Sequence, residues 1–222
     1  MTCSFYTFWR SHGNKIFIMG VFAFLICLNF FSCDAALSER KMEEERLISL
    51  KIKADEALAF CKKKDMNTDL CILIDYSIHS GKKRMFVYNF KKDSVILSGM
   101  VSHGCGDNPW GIDGTKTSPT FSNTPESHES SLGKYKIGNR GYSSWGINVN
   151  YKLHGLESSN SKAYERIIVL HSWDMVSHDE CYPNGTPEGW GCPAVSNQFM
   201  KELDVLLKSV KKPVLLWGYN EQ

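Results

Sequence analysis

The stretch RIIVLHSWDMVSHDECYPNGTPEGWGCPAVS, Arg166–Ser196, holds the side chains best suited to nucleophilic chemistry. An apolar run ends in His171, and Gly191-Cys192-Pro193 follows on a glycine-rich segment. A thiol becomes a nucleophile when a neighbouring base takes its proton, and a strand-end histidine is such a base. Gly191 has no side chain to obstruct a bulky substrate approaching the sulfur. The residues after Val195, SNQFMKELDVLLKSVKK, read as a helix with Ser196 as its cap. Cys192 is therefore expected close to a helix N-terminus, where the dipole favours thiolate. The backbone N–H groups around Cys192 are candidate oxyanion donors. The sequence has no CxxC pair and no histidine spacing of the metal-ligand kind, so no zinc site is expected.

These residues need a scaffold, and the texture around them is β. CILID, RMFVYNF and SVILSGMVSH are short runs of β-branched and aromatic residues, separated by SIHSGKK and KKDS. The second and third read as a hairpin. Gly104 to Ser131 is rich in glycine and serine, with breakers at Pro109 and Pro119, and a loop of that length is more often functional than idle. KYKIG, INVNYKLHGL and RIIVLHS return to strand character, with a short helix or turn at SSNSKAYE. In the C-terminal helix Phe199, Leu203, Leu206, Leu207 and Val210 share a face, Pro213 closes it, and VLLWGY is a last strand. The fold class expected is mostly β, a sheet-and-barrel domain with a few helices.

Ahead of this domain, Leu37–Phe60 reads as a helix, with Leu47, Ile48, Ile52, Leu58 and Ala59 near helical spacing. Its first part, Ser38–Arg46, is almost wholly charged and reads as a solvated spacer. Before it, Arg10, His12 and Lys15 precede an apolar run from Ile16 to Phe31, the pattern of an export signal. Three outcomes stay open: acylation of Cys33, cleavage near Ala35 or Ala36, or an uncleaved anchor. The chain thus divides into a leader (1–36), a helix and spacer (37–66) and a catalytic domain (67–222). Outside the cytosol thiols pair, and CKKKDMNTDLC, Cys61–Cys71, is a plausible disulfide loop. A formal charge of +2 gives no global field for nucleic acid. The clusters Lys62–Lys64, Lys82–Arg84 and Lys91–Lys92 read either as solvated turns or as attraction to an anionic wall polymer.

The ordered landmarks IDYS, KRMFVYNF, VSHG, FSN, SSLG, HGLE, RIIVLH and GWGCPAV resemble the YkuD-like murein L,D-transpeptidases, in the branch with a Gly-Cys-Pro-Ala string. The resemblance spans roughly Ile72 to Tyr219. It implies Cys192 as nucleophile, His171 as base and Gly191 beside them, with Ser122, His154 and Trp190 as substrate contacts. It also implies a thioester formed on the third residue of a peptidoglycan tetrapeptide stem, released by an amine of a second stem, with no cofactor. Crosslinking, exchange of the terminal D-amino acid and hydrolysis share that intermediate, and the acceptor stays open. The implied partners are peptidoglycan stems, with membrane contact only through a leader or lipid, in the periplasm or cell envelope.

Two departures stand out. The familiar family form has arginine two residues after the cysteine, where this chain has Ala194. The branch's arginine-serine pair before the tryptophan is Glu188-Gly189 here, and a carboxylate near the sulfur would disfavour thiolate. A non-catalytic wall-binding module on the same fold is therefore the rival reading, with an L,D-carboxypeptidase a second. Sortases need an arginine after the cysteine, and none follows Arg166. Papain-like enzymes place cysteine before histidine.

Overall fold

The computed structural model describes residues 37–221 apart from Glu39. The leader and the alternatives at Cys33 lie outside the described residues. The chain divides into two units, 1–50 and 51–222. In the first, the helical residues 40–50 are mostly exposed and carry Lys41–Glu45 and Arg46–Glu43 pairs at helical spacing, as a solvated spacer should.

The second unit opens on helix α1 (51–63). Its buried positions are Ala54, Ala57 and Cys61, spaced three and four apart, while Ile52 is 55% exposed. The face expected from Ile52, Leu58 and Ala59 is therefore not the packing face, and Leu47 and Ile48 of the first unit are exposed as well. Small side chains let this helix lie close over the strands, with the Lys53 ammonium 4.9 Å from the Trp217 ring centroid. Cys61 and Cys71 are free buried thiols, not the expected disulfide. The turn between them closes by other means. Asn67 Oδ1 accepts from the N–H groups of Asp69 (2.9 Å) and Leu70 (3.0 Å), and Met66 N–H donates to Cys61 O.

Eight strands follow: β1 (Leu70–Asp75), β2 (Met85–Asn89), β3 (Ser94–Gly99), β4 (Gly133–Tyr142), β5 (Val149–Gly155), β6 (Val169–Ser172), β7 (Ala194–Val195) and β8 (Leu215–Tyr219). They form one sheet in the order β3-β2-β1-β8-β4-β5-β6-β7. The β1–β8 and β6–β7 pairs are parallel and the others antiparallel. Just past β3, Val101 bridges Val195 of β7, so the two ends of the order meet and the sheet is nearly closed. β2–β3 is the expected hairpin, with Asp93 at φ 49 in its turn. The stretch expected as a long loop has no strand, only bridges at Gly104 and Phe121.

Helix α2 (Asn197–Ser209) buries Phe199, Met200, Leu203 and Leu207 in one core with Ile72, Ile74, Val87, Leu153, Leu170 and Leu216. Gly99 lets the helix approach: a Cβ there would stand 2.2 Å from the Phe199 ring. Burying such side chains contributes roughly 1.5–3 kcal/mol each. Strand β6 is thereby held between β5 and β7 with α2 against it.

Candidate active site

The register of β6 brings the two chemistry-bearing residues together. His171 pairs with Asn150 on one side and with Ala194 on the other. Cys192, two residues before Ala194, shares a small cavity of about 90 Å³ with His171. His171 Nδ1 lies 2.9 Å from Ser172 O, which can only accept, so Nδ1 carries the proton and Nε2 the lone pair. Burial lowers the His171 pKa from its usual range, partly offset by the Ser172 bond, and the ring is neutral at pH 7.

Cys192 is half-buried. Its sulfur accepts from Val169 N–H at 3.4 Å and lies 3.8 Å from Ile167 O. Burial pushes the thiol up, against opposing pulls from Val169 N–H and the Arg166 charge. The sulfur therefore rests as a thiol. The expected helix terminus is not at the sulfur: β7 stands between Cys192 and α2, and the dipole acts only over the first turn. Ser196 does cap α2, accepting from Phe199 N–H at 3.2 Å.

Gly191 has φ +93, and a Cβ there would meet Glu129 O at 2.5 Å, so conformation and space both require glycine. Ser130 Oγ donates to Gly191 O at 3.1 Å. Arg166 fixes this surrounding loop by donating to Ser122 O (2.8 Å), Ser131 Oγ (2.6 Å), Ser127 Oγ (3.2 Å) and Glu129 O (2.6 Å). Ser122 thus takes part through its carbonyl, while its hydroxyl accepts from Thr124 N–H. Arg166, ahead of β6, supplies the charge near sulfur that Ala194 does not.

Trp190 lines the cavity and is 60% exposed. Three further tryptophans join it, and sequence reasoning passed over them. Trp110 stacks on Trp173 with centroids 5.0 Å apart and lies 6.0 Å from Trp145 and 6.2 Å from Trp190. Gly189 and Ala194 complete the lining. The available signal was position: Trp110 and Trp145 each precede a glycine, and Trp173 follows His171 closely.

His154 is not brought to this cavity. It stacks on Tyr164 at 5.2 Å and lines a separate cleft of about 540 Å³ with Lys136, Arg140, Lys208, Lys211 and Lys212. Burial, then Lys136 and Lys152, lower its pKa.

Glu188 does not act on the sulfur, contrary to expectation. It is fully buried, and its Oε1 accepts from both the N–H and the hydroxyl of Thr115. Arg84, also fully buried, donates to His103 Nδ1 at 2.8 Å, which leaves Nε2–H to donate to Thr115 Oγ1 at 2.8 Å. Burial and then Arg84 depress His103 to about 3, so its 3.6 Å approach to Glu188 is not an ion pair. Among the described residues no three His, Cys, Asp or Glu side chains converge as metal ligands.

The L,D-transpeptidase catalytic domain family (YkuD_2) matches residues 43–217. Among solved structures, the chain is similar to the Ldtfm–avibactam carbamoyl enzyme at 14% identity, covering 69% of this chain and 50% of that one, with a TM-score of 0.41. It is similar to an L,D-transpeptidase from Xylanimonas cellulosilytica DSM 15894 at 14% identity, covering 68% and 60%, TM-score 0.37. It is also similar to the helical cell shape determining protein Pgp2 from Campylobacter jejuni at 13% identity, covering 69% and 48%, TM-score 0.40. The match spans about half to three fifths of those chains. No curated protein matches.

Proposed function

The chain belongs to the L,D-transpeptidase catalytic domain family, and from that premise we propose that it is a peptidoglycan-modifying acyltransferase with Cys192 as nucleophile and His171 as base. The observation that carries this is the shared cavity of sulfur and imidazole, with Nδ1 tied to Ser172 O and Nε2 left as the basic nitrogen. Nε2 takes the thiol proton as sulfur attacks the carbonyl of the third stem residue. The same proton then goes to the departing terminal D-amino acid, leaving a thioester. The N–H groups of Gly191 and Cys192 make no backbone hydrogen bond among the described residues, so they are available to a developing oxyanion. Gly191 holds that turn.

The rival reading as a non-catalytic module drew on Glu188 and Gly189. Glu188 serves a buried network, and at Gly189 a side chain would meet nothing within 4 Å. Neither departure therefore argues against catalysis. An exported protein of the cell envelope fits a peptidoglycan substrate; no helix among the described residues is long and apolar enough to cross a membrane.

Intact mass spectrometry of the full chain with a tetrapeptide-stem muropeptide, and with a carbapenem, tests the reading. One acyl adduct is expected on Cys192, and none on Cys192→Ala. An adduct carried by Cys61, Cys71, Cys105 or Cys181 would overturn it.

A further inference from the structure

Ser130 is the most tightly committed polar side chain around the site, and it takes no part in the chemistry described so far. It is 1% exposed. Its Oγ accepts from Gly104 N–H at 3.1 Å and stands 3.1 Å from Gly191 O. An N–H can only donate and a carbonyl can only accept, so the hydroxyl proton goes to Gly191. Bulk water cannot take its place at that depth, and a buried Gly191 carbonyl without a partner would be costly.

What this proton holds is a peptide plane. Gly191 sits at φ +93, and without a side chain the plane that follows it can turn over at little cost. In a planar trans peptide the C=O and the next N–H point in opposite directions. Gly191 and Pro193 back onto a small interior void with Ile74, Leu153 and Leu216, whereas Cys192 lines the cavity that it shares with His171. With Gly191 O drawn inward to Ser130, Cys192 N–H faces the other way, toward the side on which the sulfur meets a substrate carbonyl. That N–H makes no backbone hydrogen bond among the described residues. Turned over, the plane would present a carbonyl oxygen to the developing negative charge in place of a donor. Resting on the acyltransferase reading above, we infer that Ser130 is a positioning residue of the reaction, whose hydroxyl locks the Gly191–Cys192 peptide so that Cys192 N–H is offered to the oxyanion.

The lock is itself braced. Ser130 O accepts from Ser122 N–H at 3.0 Å, and the preceding Glu129 O accepts from Arg166 at 2.6 Å. Gly104, which orients the hydroxyl, bridges Gly189, so both partners of Ser130 Oγ belong to the frame around Cys192. Ser130 does not line the cavity of Cys192 and His171, and it acts through Gly191 and not on the substrate.

Two reagents separate this lock from the rest of the site. A carbapenem carbonyl becomes an oxyanion as sulfur attacks, whereas iodoacetamide alkylates the same sulfur by displacing iodide and develops none. Both are applied to the full chain, with the adduct on Cys192 followed by mass over time. Ser130→Ala should slow carbapenem acylation roughly ten- to hundred-fold and leave alkylation at the wild-type rate. Ser130→Thr keeps the hydroxyl and should recover most of the acylation rate. In infrared difference spectra the thioester carbonyl of the wild-type acyl-enzyme should lie below its position in the denatured acyl-enzyme, and Ser130→Ala should move it back up. A wild-type acylation rate in Ser130→Ala would overturn the role, and so would equal slowing of both reagents, which would reduce Ser130 to packing. Should Ser130→Ala not fold, amide exchange in the wild-type protein decides. The Cys192 N–H should exchange freely at rest and slow on acylation, and equal protection in both states would overturn the orientation. Alkylation of wild-type Cys192 with no carbapenem adduct would instead remove the acyltransferase reading.

Discussion

At the scale of single residues, the protonation states of Cys192 and His171 make a specific statement about rate. Burial raises the thiol and lowers the imidazole, so the resting pair is neutral thiol and neutral base, not thiolate and imidazolium. The base works only when unprotonated, and its pKa lies below the ordinary histidine value of 6.5. Carbapenem acylation should therefore hold level as pH falls from 8 through about 6.5, and decline only below that. In His171→Ala the rate should follow free thiolate alone, rising with pH up to the displaced thiol pKa. Stopped-flow acylation across pH 5–10 checks this; a decline already complete at pH 6.5 would mean that the site raises the His171 pKa and does not lower it. Gly191 and Arg166 enter through placement: one adopts the backbone angle the turn needs, the other ties down the loop that shapes it.

At the scale of elements, α2 is the piece whose anchoring is most local. Ser196 Oγ accepts from Phe199 N–H and also meets His178 Nδ1 at 3.4 Å. Ser196→Ala should cost about 1 kcal/mol in chemical denaturation; no measurable change would mean that water replaces the cap without loss. Elements with strong local patterns were legible in the sequence. β1 to β6, β8 and α2 stand where alternation, turn residues and a cap mark them, and Cys192 and His171 were singled out from motif and order. What was not legible depends on long-range contact. α1 packs on Ala54, Ala57 and Cys61 and not on its larger apolar side chains, because close approach to the strands decides the face. The two-residue β7 has no sequence signature. It exists through pairing with β6, and it removes Cys192 from the helix terminus that its neighbours suggested. The tryptophan box is drawn from separate loops, and only folding reveals it.

At the scale of the whole molecule, a buried polar chain joins Arg84, the residue just before β2, to the loop that carries Trp110 and to the segment leading into Cys192. Arg84 donates to His103, His103 to Thr115 and Thr115 to Glu188, while Gly111 N–H donates to Glu188 O. His103 is depressed to about 3 by burial and by Arg84, against roughly 6.5 when unfolded. Its contribution is present above pH 6.5. It is lost as pH falls toward 3, because over that interval the unfolded chain binds a proton that the folded chain refuses. His171 shares this sign. Asp204, lowered first by its Arg140 hydrogen bond and further by Tyr151 and Lys208, adds a loss only below about pH 4. Glu188 opposes them, since burial raises its carboxyl: the folded state gains its proton first, so its contribution is lost as pH rises through the folded value. His103→Gln isolates the dominant member, offering an acceptor and a donor without a titrating ring. The wild-type unfolding free energy should fall between pH 6.5 and 4 more steeply than that of His103→Gln, by up to about 1.4 kcal/mol per pH unit. Parallel curves from urea titrations would mean that His103 takes up its proton within the fold, and that the network tolerates a second cation beside Arg84.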